Sequence, residues 1–78
     1  MTLYNFNSLT ETEQFDATFN QATFIDFKII GHIRFALYAL DMFFIEVEYN
    51  NSTNEIDTLK SFKTGFLLDK YSDLENLV

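Results

Sequence analysis

The sequence predicts an α+β domain with an N-terminal helix, a four-stranded antiparallel meander sheet and a C-terminal helix, both helices packed on one sheet face. Three observations carry that prediction. A helix-start signature precedes apolar residues at helical spacing near the N-terminus. A run of β-branched and aromatic residues, broken by turn signals, occupies the middle from about Thr23 to Lys63. A second apolar stripe at helical spacing closes the chain. Segregating helices on one face of an antiparallel sheet lets both kinds of element bury their apolar sides, and 78 residues make one α-β-β-β-β-α domain, 1–78.

The first helix is read from "SLTETEQFDATFNQA". Ser8 with Glu11, and Thr10 with Glu13, both fit the capping box, in which a hydroxyl and a carboxylate satisfy otherwise unpaired N–H groups. Glu11, Glu13 and Asp16 suit the positive end of the helix dipole. Phe15, Phe19 and Ala22 fall at helical spacing and are expected to face the core. Leu3, Tyr4 and Phe6 are expected to pack ahead of the helix as an anchoring arm.

From Thr23 the period changes to two. In "TFIDFKIIGHI" Ile25, Phe27 and Ile29 share one face, and Phe24, Asp26 and Lys28 the other. Gly31-His32 reads as the turn into the next strand. "FALYALDMFFIEVEY" then reads as a hairpin: Phe43, Ile45, Val47 and Tyr49 alternate with Phe44, Glu46 and Glu48, whereas a helix would wrap the two glutamates around an apolar cylinder. A two-residue Asp41-Met42 loop pairs Leu40 with Phe43 and sets Tyr38 and Ala36 beside Ile45 and Val47. A three-residue loop sets Leu37 and Phe35 there instead. A one-residue slip exchanges buried and exposed faces, and the favoured two-residue loops put glycine where Met42 stands, so the residues leave the register open. "NNSTN" is a polar turn and "EIDTLKSFK" the fourth strand. In "FLLDKYSDLENLV", Leu67, Tyr71, Leu74 and Val78 lie on one helical face flanked by Leu68, while Asp73 and Glu75 oppose the dipole and fray the last turn.

The order Tyr4-x-Phe6-Asn7-x-Leu9, then Leu37-Tyr38-x-Leu40-Asp41-x-Phe43-x-Ile45-Glu46-Val47-x-Tyr49, then Asn54-Glu55-Ile56 and Ser61-Phe62-Lys63-Thr64, resembles a family of small uncharacterised bacterial proteins. The resemblance covers most of the chain and its motifs are structural. Its members carry Asp-Gly at the hairpin turn, which implies a two-residue loop here, although Met42 replaces the glycine. It implies the fold and brings no activity with it.

Composition narrows the function. A chain this short buries only about 60–65% of its unfolded surface, so its stability needs a supplement such as disulfides, a metal or a partner. There is no cysteine and one histidine, which removes disulfides and thiolate sites and leaves too few ligands for a His-based zinc site. No cofactor is called for. Ten Phe and four Tyr make packing or oligomerisation the expected supplement. A net charge of -7 argues against nucleic acid, whose binding is driven by phosphate neutralisation, and against an anionic membrane surface. No signal-peptide pattern opens the chain and no apolar run approaches a bilayer span, so a cytoplasmic protein is expected. The overlapping N-x-S/T matches in Asn50-Asn51-Ser52-Thr53 read as turn residues.

No catalytic set is identified. His32 is the one natural proton shuttle but has no nucleophile motif beside it, and Gly31 and Gly65 stand apart, forming no phosphate loop. Glu46 and Glu48 share a strand face about 7 Å apart, where Arg34, Lys28 or Lys60 on neighbouring strands would oppose them. With a two-residue turn the second sheet face carries Phe35, Leu37, Ala39 and Phe44 around Glu46 and Glu48. Contiguous apolar surface of this kind marks interaction sites. The leading expectation is therefore a non-catalytic interaction protein, a homodimer through Phe35, Leu37, Phe44, Glu46 and Glu48. The alternative is an acidic inhibitor or immunity-type protein that masks a basic partner with Glu46, Glu48, Glu55 and Asp57. Third comes an enzyme using His32 with a carboxylate.

Overall fold

The computed structural model describes residues 1–63. Two helices, α1 (Leu3–Asn7) and α2 (Glu11–Gln21), precede four strands, β1 (Thr23–Ile30), β2 (Ile33–Leu40), β3 (Phe43–Asn50) and β4 (Glu55–Phe62). The strands form one antiparallel sheet in the order β1-β2-β3-β4, so the α+β meander is present. The expected C-terminal helix lies outside the described residues.

Each helix begins on a threonine. The Thr2 hydroxyl accepts from the Asn5 N–H at 3.0 Å, which turns the anchoring arm into a single helical turn. At α2 the capping box is closed by Thr10 and Glu13: the Glu13 N–H donates to Thr10 Oγ1 at 3.2 Å and the Thr10 N–H to Glu13 Oε1 at 2.9 Å. The Ser8 and Glu11 pair is not the box, because Ser8 ends α1 and donates its hydroxyl to the Tyr4 carbonyl. The Thr10 backbone N–H, helped by the Thr10 hydroxyl, holds the Glu13 carboxyl below the ordinary glutamate value.

The core lies between the helices and the closed end of the central hairpin. Phe6, Ala17, Leu40, Phe43, Ile45 and Val47 form it, with the Phe6 and Phe43 rings 5.4 Å apart and tilted by 55°. The residues that α2 buries differ from those its spacing suggested. Ala17 and Thr18 are buried, Phe15 and Ala22 are partly buried, and Phe19 is half exposed. Small side chains let the helix sit close over the Phe6 and Phe43 corner, and Thr18 satisfies its buried hydroxyl by donating to the Gln14 carbonyl at 2.8 Å. Gln14 in turn donates to the Phe6 carbonyl at 3.0 Å, tying α2 to α1.

The central hairpin takes the two-residue loop, with Leu40 opposite Phe43, Tyr38 opposite Ile45 and Ala36 opposite Val47. Met42 does not obstruct it, because Asp41 alone adopts positive φ, at 53°, and aspartate tolerates the left-handed region. The β1-β2 turn places Gly31 at φ 63°, in the first central position where a tight hairpin turn prefers glycine. In the third turn Asn50 Oδ1 accepts from the N–H groups of Ser52 and Thr53.

Strand β1 departs from strict alternation. Its register against β2 shifts between Phe24 and Asp26, leaving Ile25 as an extra residue. This bulge puts Phe24, Phe27 and Ile29, opposite Tyr38, Ala36 and Arg34, on the helix side of the sheet. Ile25 packs on the other side against Leu37. The expected face of Ile25, Phe27 and Ile29 is corrected accordingly.

Two predictions follow from the packing and the cap. Phe43→Ala removes a ring from the centre of the core and lowers unfolding free energy by about 3–5 kcal/mol in urea melts, whereas Met42→Ala next to it, 88% exposed, changes it by less than about 0.5 kcal/mol. Thr10→Ala costs about 1 kcal/mol through the lost cap. It also raises the Glu13 titration midpoint, read by NMR. Because the folded value is depressed, Glu13 stabilises the fold above its unfolded pKa, and that contribution is lost as pH falls through the folded one.

Candidate functional site

The two faces of the sheet differ in what they leave open. On the face away from α1 and α2, the observed register brings together all five residues expected to form an interaction site. Phe35 lies opposite Glu48, Leu37 opposite Glu46, and Phe44 beside Ala39. Leu37 has no exposed surface and packs among Ile25, Phe35, Phe44 and Phe62. Phe44 stacks on Phe62 at 5.9 Å. Glu46 is fully buried between Leu37 on β2 and Lys60 on β4. Glu48 accepts from the Thr58 hydroxyl and pairs with Lys60 Nζ at 3.5 Å, so the cation opposing the glutamates is Lys60. Glu55 and Asp57 are exposed. With Glu46 inside, the four carboxylates of the inhibitor reading do not share one solvent-facing patch.

The exposed apolar surface is concentrated on the helix side, along β1. Phe24, Phe27, Ile29 and Ile30 each keep 46 to 54% of their surface exposed, as does Phe19 on α2. All but Ile30 belong to the helix side, where aromatic rings run from the helix to the sheet edge. Phe15 stacks on Phe19 at 6.2 Å, Phe19 meets the edge of Tyr38 at 5.9 Å, and Tyr38 meets Phe24 at 5.6 Å. Phe24 lies 6.4 Å from Phe27, and the Arg34 guanidinium sits 4.6 Å from the Phe27 ring centre, within cation–π range. Below this ridge α2 stops short of the far end of the sheet. An open groove of about 290 Å³ remains there, lined by Phe19, Arg34, Ala36, Tyr38 and Tyr49 among others.

Little else in the described residues has the form of a reaction centre. His32 is exposed at the tip of the β1-β2 turn, where its carbonyl accepts the Asn51 N–H at 2.8 Å. Among the described residues no three His, Asp or Glu side chains gather as a metal site, and no helix is long and apolar enough to cross a membrane.

No family model, curated protein or solved structure matches this chain. The resemblance to small bacterial proteins therefore rests on the residue pattern alone.

The β1 ridge escapes a reading based on strict alternation. The bulge at Ile25 rotates half the strand, moving Phe24 onto the face of Phe27. Nothing in the alternation signals it: Ile29 and Ile30, adjacent on the strand, face opposite sides with or without a bulge, and both are exposed.

Proposed function

We propose that this protein is a non-catalytic protein–protein interaction module that self-associates, with the aromatic ridge along β1 as its contact. The observation that carries this reading is the set of half-exposed Phe19, Phe24, Phe27 and Ile29 on one side of an edge strand. Together they offer on the order of 400 Å² of apolar side-chain surface, comparable to the largest apolar patch on a typical monomer, which is often functional. A short chain without disulfides needs supplementary burial, and a second copy supplies it with a closed two-fold assembly, the commonest kind. The residues first expected to make the contact supply less. Leu37 and Glu46 have no surface to offer, and Glu48 is engaged by Thr58 and Lys60.

Light scattering across about a hundred-fold dilution, at low and high salt, tests this. The expected result is a dimer whose mass is insensitive to salt, with Ile29→Lys raising its dissociation constant at least about tenfold and Met42→Lys leaving it unchanged. A monomer throughout overturns the reading. Association that appears only at low salt points instead to the acidic surface.

A further inference from the structure

Strand β1 carries a self-complementary charge pattern, and from it we infer that two copies pair antiparallel, edge to edge, about a two-fold axis through Phe27. The inference rests on the self-association reading and specifies its geometry. β1 and β4 are the two edges of the sheet. β4 is blunted by Glu55, Asp57 and Lys60 and by its own bulge at Asp57, the usual means of discouraging strand addition. β1 carries five large apolar residues in eight and, among the described residues, is the open edge.

The two-residue Gly31-His32 loop closes on Ile30 opposite Ile33, which makes that pair hydrogen-bonded. Alternation then directs the backbone groups of Lys28 toward β2 and those of Phe27 and Ile29 outward. A side-chain contact agrees with this: the Phe27 N–H donates to Asp26 Oδ1 at 2.7 Å, so Asp26 occupies an outward donor of the edge.

Pairing about Phe27 sets Phe27 against Phe27 of the second copy, with both backbone groups exchanged. Asp26 then falls opposite Lys28 of the second copy, and Lys28 opposite its Asp26. Directly opposed residues share a face, so both ion pairs form on the side away from the helices while the two Phe27 rings meet on the helix side. A shift by one or two residues along the strand loses both ion pairs. In the free chain the Asp26 carboxylate covers the Phe27 N–H. In the pair it leaves that donor to a carbonyl of the second copy and takes the lysine. One residue thus guards the edge against arbitrary strands and selects the chain's own.

The absence of cysteine from the chain makes the register directly readable. Opposed residues in a hydrogen-bonded antiparallel pair have Cα atoms about 5.5 Å apart, within disulfide range, so Phe27→Cys should oxidise to a covalent dimer. Ile29→Cys should not, because two residues at position 29 lie on the order of 13 Å apart along the paired strands. Asp26→Lys should weaken association about tenfold, and exchanging the charges in Asp26→Lys with Lys28→Asp should restore it, with circular dichroism confirming the fold of each variant. A parent dimer in which Ile29→Cys cross-links as readily as Phe27→Cys, or in which the exchange does not restore association, overturns this register and leaves the self-association reading standing. A parent that is monomeric at every concentration overturns both.

Discussion

Among the described residues, the sheet is larger than the two helices that lie over it can cover. Four eight-residue strands make a surface roughly 27 Å long and about 14 Å wide. Helices of five and eleven residues, the longer about 16 Å in length, cannot cover that face. They settle where covering gains most, over Leu40, Phe43, Ile45 and Val47 at the closed end of the central hairpin. Phe6 and Phe43 in contact fix that choice, and the Gln14 side chain on the Phe6 carbonyl locks α2 to it. Among the described residues, the groove at Ala36 and Tyr49 and the outward half of β1 lie beyond the reach of these two helices.

Charge is distributed to match. Exposed acidic residues sit on α2 (Glu11, Glu13, Asp16), on β4 (Glu55, Asp57) and at Asp41 in the central turn, in a chain of net charge -7. The β1 edge carries one acid and one base, two residues apart. The Arg34 guanidinium lies over part of the Phe27 ring. An edge that is apolar, balanced in charge and locally capped is suited to a specific strand rather than to any strand.

Much of this was legible in the residues because local rules governed it. Thr10 and Glu13 announce a cap whose partners are three residues apart, and Gly31-His32 and the asparagine-rich turn announce themselves by backbone chemistry. The β3 alternation around Glu46 and Glu48 is strict because the strand lies inside the sheet. The central register was open in the sequence, and positive φ at Asp41 alone resolves it. Near α2, Phe15 is partly buried and Ala22 packs against the core as their spacing suggests, but Phe19 is half exposed. Ala17 and Thr18 take the most buried positions because a helix crossing a crowded corner buries the residues that allow close approach. The ridge on β1 was hidden by a bulge, an irregularity of pairing that no period reveals. The five residues proposed for a contact do share a face, but burial within one chain, a property of the tertiary fold, removes two of them from the surface.

The central claim is that the outward edge of β1 is completed by a second copy. Amide hydrogen exchange at residue resolution, followed over a range of protein concentrations, addresses it most directly. Protection of the outward Phe27 and Ile29 amides should rise with concentration while the β4 edge exchanges at a constant rate. Equal, fast exchange of the Ile29 amide at every concentration would contradict the account.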